Sequence, residues 1–471
     1  MRDAKALSWR RWLLTYLALP FLLVGCKEKV PPAAPTPSLA GAAEGWNVLL
    51  VTVDTLRADR LNSYGYDDHV TSPNIDNLLS SGIRFANANS PRALTWPSLA
   101  TTLTGLYPSG HGVIQNGYNL PDDLPTLPKI LDDKGYETAA YLSNMCQANH
   151  QGWDTFRCSQ GRDGRSVQWA LEWMDEQKEK RPYFLWVHLF GAHGPYYNGG
   201  EHLVSELDPD YQGDLVAKKW RLNAVMKNSE KLDQDDIRRL DAIYDAAVIG
   251  TDRLVARLLD GLKDRGGLEK TLVVFLADHG EDLYQHHGYI YHACSVYQST
   301  LHVPLGISAP GLISPGSAVT QAVELSDVAP TLLDLLAIEP LQESHGVSLR
   351  PYLERPTRGG DGKPAFSEYG DSRIRTAQFD GWKLVVNPDS IVPVCFADGP
   401  HNHYPIGTVE LYDLESDPLE QVDLAEQHPG RVAELKGQIR QRFSNLENRA
   451  GDQDLSDELK EELRSLGYVA N

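Results

Sequence analysis

Three groups of side chains along the chain are of types that bind a divalent cation or act as a nucleophile. Asp54 directly follows an apolar run, and Asp278 and His279 directly follow another. Thr95, between them, opens a segment rich in hydroxyl groups. Carboxylates and imidazoles bind divalent cations, and a hydroxyl beside such an ion can become nucleophilic near neutral pH. Each residue alone is typical of a turn or helix cap, but their joint order points to a hydrolytic metal site.

A scaffold must bring these distant residues together, and the apolar runs predict one. Four apolar runs, the first with several β-branched residues, are typical of buried parallel strands, and they span 46–53, 138–142, 183–189 and 271–277. Helical periodicity is found between them, over 166–178 and 235–262. We therefore predict an α/β/α sandwich with a mainly parallel sheet, whose chemistry lies at the carboxyl ends of the strands.

The last quarter of the chain predicts a smaller unit. The composition turns to Pro, Gly and charge near 355–362, which indicates a boundary. Short strand-like segments follow and predict an antiparallel sheet, at 365–368, 374–379, 382–386 and 409–412. Helices are predicted over 429–446 and 455–468. We expect a catalytic domain over 46–355 and a C-terminal subdomain over 356–471.

Composition and charge exclude some classes of protein. The chain has 471 residues, of which 41% are hydrophobic, and its formal net charge is −20. Such a chain can bury a large core, and its acidity argues against a protein that wraps nucleic acid. An anionic ligand would therefore need a local cation or histidines rather than a basic surface.

The N-terminus predicts the compartment. Basic residues precede a short apolar run over 12–24. The run leads into the segment 23–26, which ends at Cys26 and resembles a bacterial lipobox. We expect 1–26 to be a signal peptide, Cys26 to be acylated, and the Pro/Ala-rich segment 27–45 to be a tether. These features predict a lipid-anchored protein of the bacterial cell envelope, with the outer membrane or periplasm favoured. The alternative is an uncleaved N-terminal anchor with an incidental cysteine.

Four further cysteines could pair in an oxidising compartment. Cys146 and Cys158 are close in sequence and could form a local bridge, whereas Cys294 and Cys395 would form the other pair or stay free. Buried unpaired thiols are the alternative reading.

From Asn47 to Val469 the sequence resembles the sulfatase family of the alkaline phosphatase superfamily. The family signature is Cys or Ser, any residue, then Pro-Ser-Arg-Ala, followed by Leu-Thr-Gly. Here the matching positions, in order, are Thr95, Pro97, Ser98, Ala100, Leu103, Thr104 and Gly105. The resemblance implies the alkaline-phosphatase-like fold.

Departures from the family pattern bear on the reaction. Thr95 takes the place of the Cys or Ser that sulfatases oxidise to formylglycine, so no formylglycine is expected. Leu99 replaces the signature Arg, Thr55 replaces the second Asp after the first strand, and His279 replaces an Asn. These features are similar to those of the phospho-transferring branches of the superfamily, and phosphonate hydrolases of sulfatase type share the Asp-His pair.

The resemblance implies a role for each site residue. It implies one divalent ion, with zinc or manganese favoured over calcium, held by Asp54, Thr95, Asp278 and His279. His193 matches a histidine that binds substrate oxygens, and His292 matches a position near the leaving oxygen. Glu281 is expected to support a metal-bound histidine. His286 and His287 could supply ligands for a second metal ion. His188 is expected to be a core histidine whose ring nitrogens are hydrogen-bonded, and not a metal ligand.

The resulting hypothesis is an exported, metal-dependent hydrolase that cleaves phosphate, phosphonate or sulfate esters through Thr95. Its substrate would be a small anionic ester or a sulfated or phosphorylated glycan or lipid. Three alternatives stay open: a sulfatase that uses Thr95 without formylglycine, a transferase of lipid head groups, and an inactive binding protein that retains the fold.

Overall fold

The computed structural model describes residues 38–146, 150–177, 181–226, 231–286, 288, 290–293, 295–356, 362–369, 374–388, 404–444 and 446. The described residues from Ser38 onward belong to one compact unit. The predictions for the signal peptide with Cys26, for Cys294 and Cys395, for His287 and for the helix over 455–468 lie outside these residues. In the part that is described, no helix combines the length and apolarity that a membrane span requires.

Each of the four predicted apolar runs is found as a strand with closely similar bounds. In chain order the strands are β1 (Asn47–Val53), β2 (Ile83–Asn89), β3 (Glu137–Leu142), β4 (Thr155–Cys158), β5 (Tyr183–Leu189), β6 (Thr271–Ala277), β7 (Asp282–Leu283), β8 (Ile290–Tyr291), β9 (His302–Ser308), β10 (Ser317–Glu324), β11 (Ala365–Tyr369), β12 (Ile374–Phe379), β13 (Trp382–Val386) and β14 (Val409–Asp413). The four apolar runs correspond to β1, β3, β5 and β6.

The helices include the two long ones that the periodicity predicts. In chain order they are α1 (Pro73–Ser80), α2 (Thr95–Thr104), α3 (Pro108–His111), α4 (Leu127–Asp133), α5 (Asp163–Glu176), α6 (Gly200–Leu207), α7 (Lys219–Met226), α8 (Gln234–Asp264), α9 (Gln298–Leu301), α10 (Val328–Leu335), α11 (Arg350–Glu354) and α12 (Pro429–Phe443).

One large sheet carries the fold, with the strand order β10-β2-β9-β6-β1-β5-β3-β4. Its described pairings are parallel, except that β9 runs antiparallel to β2 and β6. Residues 48–53 of β1 are all buried, and because side chains alternate along a strand, helices or loops must cover both faces there. The predicted α/β architecture with a mainly parallel sheet is therefore confirmed.

Several strands of this sheet escaped the sequence prediction. β2 reads IRFANAN and β10 reads SAVTQAVE, so both contain polar and small residues where a buried strand usually has branched apolar ones. The half-buried pattern of β10 follows from its place at the edge of the sheet. β9 contains Pro304 and Gly306, which are typical of loops.

The small sheet β11-β12-β13-β14 is antiparallel throughout, as predicted. Leu435 and Ile439 of α12 pack on it together with Leu384 and Leu411. Tyr107, which precedes α3, lies in the same apolar cluster and accepts a hydrogen bond from Arg442 Nε at 3.2 Å. The small sheet thus shares a core with the elements around the large sheet.

Two local features connect with the sequence predictions. Residues 38–45, assigned to the tether, pack onto α10: Leu39 and Ala43 are buried, and the Ala43 amide donates to the Leu335 carbonyl at 2.9 Å. Cys146 and Cys158 form a disulfide across 5.3 Å between their Cα atoms, which is the local bridge that their spacing suggested.

Candidate active site

Asp54, Asp278 and His279 meet at one edge of the large sheet. Asp54 follows β1, Asp278 follows β6, and the two strands are parallel neighbours in register. His279 Nε2 lies 3.6 Å from Asp54 Oδ1 and 3.7 Å from Asp278 Oδ2. The three side chains are fully buried, and their ligand atoms all lie within 4.8 Å of one another. This spacing could hold a metal ion.

The hydrogen bonds of His279 determine which ring nitrogen is available. Its Nδ1 lies 2.9 Å from the Gly280 carbonyl oxygen. Because a carbonyl only accepts, Nδ1 must carry the proton, and Nε2 then presents a lone pair toward the two carboxylates. A histidine held in this way is ready to bind a metal.

Each carboxylate uses one oxygen for the protein and leaves the other without a partner. Asp54 Oδ2 accepts from Asn144 Nδ2, while Asp278 Oδ1 accepts from the His279 amide at 2.7 Å and the Thr55 amide at 3.2 Å. Asp54 Oδ1 and Asp278 Oδ2, the oxygens nearest His279 Nε2, have no hydrogen-bond partner among the residues that the structure describes. Burial and the charge of Asp278 raise the pKa of Asp54 well above its ordinary value. Two orphaned anionic oxygens and one imidazole lone pair fit a divalent cation.

Thr95 is the first residue of α2 and stands beside this cluster. Its Oγ1 lies 3.4 Å from His279 Nε2, and its side chain is fully buried. Ser98, one turn further along α2, donates to the Asp278 carbonyl at 2.6 Å and so ties the helix to the end of β6. The N-terminus of a helix favours an anionic group at this point.

Thr55, which replaces the second family Asp, has a left-handed backbone with φ of 57°. Its carbonyl accepts from the Tyr244 hydroxyl at 2.7 Å, and that hydroxyl accepts from the Arg57 amide at 2.9 Å. A β-branched residue in this conformation is strained and persists only where its surroundings hold it. Tyr244 of α8 supplies that support.

Glu281 pairs with His292 rather than with the histidine of the cation cluster. Glu281 Oε1 lies 2.9 Å from His292 Nδ1, and the His292 ring lies 4.4 Å from the His279 ring. Burial raises the pKa of Glu281 well above its ordinary value. Burial, together with His279 and His193, lowers the pKa of His292 well below its ordinary value. The contact at Nδ1 holds the orientation of the His292 ring, and Nε2 is the ring nitrogen that does not face Glu281.

His193 lies in the loop after β5, with its ring 5.0 Å from the His292 ring. Asp163, at the start of α5, holds this loop by accepting from the Phe190 and Gly191 amides at 2.7 and 2.9 Å. It also accepts from Asn198 Nδ2 at 2.6 Å. The loop that carries His193 is therefore anchored at both ends by one buried carboxylate.

Sequence reasoning missed Asn144 and Asp163. Asn144 lies two residues after the end of β3, close enough to the strand end that the rule that singled out Asp54 could also have found it. Asp163 begins a helix, where Asp is too common to signal a function. The expectation for His188 is only partly met: Nδ1 lies 2.7 Å from Thr52 Oγ1, but Nε2 has no hydrogen-bond partner in the residues described.

His286 does not suit a second ion. Its Nδ1 lies 2.9 Å from Asp282 Oδ2 and its Nε2 lies 3.0 Å from the Leu419 carbonyl oxygen. With both nitrogens engaged, no lone pair is left for a metal. His286 instead ties the segment after β7 to the turn that follows β14, beside the small sheet.

Comparison with known proteins agrees with this fold. A family model described as Sulfatase matches residues 46–338. The chain therefore belongs to the sulfatase family, a family of ester-hydrolysing enzymes whose members generally bind a divalent metal ion. Arylsulfatase K of Xenopus laevis is 27% identical over 84% of this chain and 82% of its own length. Choline-sulfatase of Rhizobium meliloti (strain 1021) is 26% identical over 82% of this chain and 83% of its own length.

Solved structures show the same fold at lower identity. A structure in complex with its substrate D-glucosamine-2-N,6-O-disulfate has a TM-score of 0.71 and 20% identity, covering 87% of this chain and all of that chain. The phosphonate monoester hydrolase of Agrobacterium radiobacter has a TM-score of 0.67 and 20% identity. It covers 84% of this chain and 96% of its own.

Proposed function

We propose that the chain hydrolyses anionic esters through Thr95, with phosphate and phosphonate esters favoured over sulfate esters. The observation that carries this proposal is the position of Thr95 Oγ1, 3.4 Å from His279 Nε2 at the N-terminus of α2. Asp54, Asp278 and His279 would hold one divalent ion, zinc or manganese. When bound, such an ion offsets the two carboxylates and lowers the pKa of a neighbouring hydroxyl.

The chain's own residues account for bond formation and cleavage. Thr95 Oγ1 gives up its proton to water and forms a bond to the phosphorus or sulfur of the ester, and the bond from that atom to the ester oxygen breaks. His292 donates a proton from Nε2 to the leaving oxygen while its Nδ1 takes up a proton from Glu281, which also keeps the ring oriented. Water then cleaves the ester on Thr95: its oxygen bonds to the transferred group and a proton returns to Oγ1. The charge on the transferred group is stabilised by His193 and by the N-terminus of α2.

The type of ester follows from the site and not from the family name alone. A threonine cannot supply the two geminal oxygens of a formylglycine hydrate, and Leu99 is buried in the core, so it brings no charge to the site. The fold likeness to a phosphonate monoester hydrolase supports the preference for phosphorus. The sulfatase names of the relatives favour the second candidate, a sulfatase that works without formylglycine.

We propose further that the enzyme is exported and lipid-anchored through Cys26. The disulfide between Cys146 and Cys158 supports export, because such bonds persist mainly in oxidising compartments. A substrate in that setting would be a small ester or a sulfated or phosphorylated glycan or lipid. The disulfated glucosamine bound by a structural neighbour supports the glycan class.

The test is an assay of purified protein with Mn²⁺ or Zn²⁺ on four substrates. They are p-nitrophenyl phosphate, bis-p-nitrophenyl phosphate, a phenylphosphonate ester and p-nitrophenyl sulfate. Thr95→Val should lower turnover by at least about 10³-fold. Thr102→Val is the matched control, because this buried α2 hydroxyl donates to the Ser98 carbonyl of its own helix, and the variant should keep its activity.

Each outcome decides between the candidates. Activity retained in Thr95→Val would refute the nucleophile. Faster turnover of the sulfate ester than of the three phosphorus esters would favour the sulfatase candidate. No turnover of any substrate, with no bound metal by elemental analysis, would favour an inactive binding protein.

A further inference from the structure

Asn144 sets the orientation of one predicted metal ligand. Its Nδ2 donates to Asp54 Oδ2, which leaves Asp54 Oδ1 facing His279. Asn144 Oδ1 is buried and finds no hydrogen-bond partner within the described part of the chain. The Asn144 amide therefore holds the Asp54 carboxylate by the oxygen that does not face His279. Rotation of the carboxylate would break this hydrogen bond.

The turn that presents Asn144 is strained. Met145, the next residue, has φ of 57° and is buried. A residue with a side chain reaches this region only at a cost in free energy, so something outside the turn must hold it.

The Cys146–Cys158 disulfide is placed to do this. Cys146 directly follows the strained residue, and Cys158 ends β4, which lies at the edge of the sheet beside β3. The Cys158 sulfur lies 3.7 Å from the Asn144 carbonyl oxygen. The bond therefore fixes the far side of the turn to the same strand pair from which the turn departs.

We propose that this disulfide is a positioning element of the metal site: it holds the Met145 turn so that Asn144 orients Asp54. The inference rests on the proposed function in one respect, since it takes Asp54 as a metal ligand. Asn144 and the disulfide are positioning groups that do not touch the reacting atoms.

A thermodynamic cycle on metal affinity tests the inference, with Mn²⁺ binding measured by electron paramagnetic resonance. The proteins are the wild type, Asn144→Ala, the double variant Cys146→Ser/Cys158→Ser, and the triple variant. Loss of a residue that orients a ligand typically weakens metal affinity by about 10–100-fold. We expect that factor in Asn144→Ala and a loss of about 10-fold in the double variant. The triple variant should be no more than about twofold weaker than Asn144→Ala, since the disulfide acts through that side chain.

Two controls separate positioning from general stability. Leu435→Ala opens a cavity in the core beneath α12 and should lower the urea midpoint of unfolding without changing the Mn²⁺ affinity. If the double variant does not fold, the folded wild type is reduced with dithiothreitol, which is then removed before Mn²⁺ is added. The dithiol supplies two electrons and two protons, so the S–S bond becomes two thiols and the reagent becomes its cyclic disulfide. Affinity should fall about 10-fold and recover on reoxidation.

Several results would overturn the inference. Unchanged Mn²⁺ affinity after loss of the disulfide would do so, as would unchanged affinity in Asn144→Ala. An equal loss on removing the disulfide in both backgrounds would show that it acts independently of Asn144, and the metal site itself would stand. Absence of Mn²⁺ binding in the wild type would refute the metal site together with this inference.

Discussion

Replacing Asp54 by Asn should have opposite effects on stability with and without metal. In the metal-free protein Asp54 and Asp278 are both fully buried, and the atoms that face His279 lie within 4.8 Å of one another. Two unit charges at that separation repel by about 3 kcal/mol at an effective dielectric constant of about 20. Partial protonation relieves some of this repulsion, because burial raises the pKa of both carboxyl groups.

The substitution removes one of the two charges and keeps the shape of the side chain. We therefore expect Asp54→Asn to raise the free energy of unfolding of the chelated protein by about 1–3 kcal/mol at pH 8. For the wild type, Mn²⁺ at about 100 times its Kd should add about 2.7 kcal/mol. That gain should be lost in the variant.

The assay is urea unfolding followed by tryptophan fluorescence, in excess chelator and in Mn²⁺. Asp252→Asn is the control, because this buried carboxylate accepts from the Asn74 and Ile75 amides and lies outside the site. It should destabilise the protein under both conditions. A chelated Asp54→Asn protein less stable than the chelated wild type, or one that Mn²⁺ still stabilises fully, would refute the reasoning.

Three further predictions concern the residues around the cluster. Glu281→Gln should impair protonation of the leaving group by His292. kcat/KM should then fall about 10-fold or more for phenyl phosphate, and less for p-nitrophenyl phosphate, whose leaving group needs a proton less. Equal losses on the two substrates would contradict this role. Asp163→Asn should loosen the loop that carries His193, raise KM and cost about 1–3 kcal/mol of stability, and an unchanged KM would argue against it. Burial lowers the pKa of His286, but the hydrogen bond and charge of a neighbouring carboxylate outweigh it, so the net pKa is raised. The contribution of His286 to the free energy of unfolding is therefore complete below about pH 6.5 and is lost as pH rises through the raised pKa. His286→Gln should lack this contribution. A plot of its free energy of unfolding against pH should be flatter than that of the wild type above about pH 6.5.

The scaffold of the site could be predicted because its strands are buried on both faces. β5 and β6 begin and end where their apolar runs do, and β1 differs by one residue. The rule that parallel strands place chemistry at their carboxyl ends then brought Asp54 and Asp278 to the same edge of the sheet. Polar or loop-like strands such as β2 and β9 carry no such signal.

The supporting contacts could not be predicted, because they join residues far apart in sequence. Asn144 and Asp54 are 90 residues apart, and the local sequence around either residue does not predict a contact with the other. The sequence does not show whether Glu281 pairs with His279 or with His292. In the structure His279 Nδ1 donates to the Gly280 carbonyl, and Glu281 pairs with His292 instead. The chemical roles of the site residues, like export through Cys26, stay predictions.

The most direct test of the central claim is to trap the covalent intermediate. Wild-type protein with Mn²⁺ is mixed with p-nitrophenyl phosphate, quenched in acid within the first turnover, digested, and examined by mass spectrometry. We predict one phosphoryl group on Thr95, absent without substrate and absent in Thr95→Val. Turnover with Thr95 unmodified, or a phosphoryl group on another residue, would contradict the account.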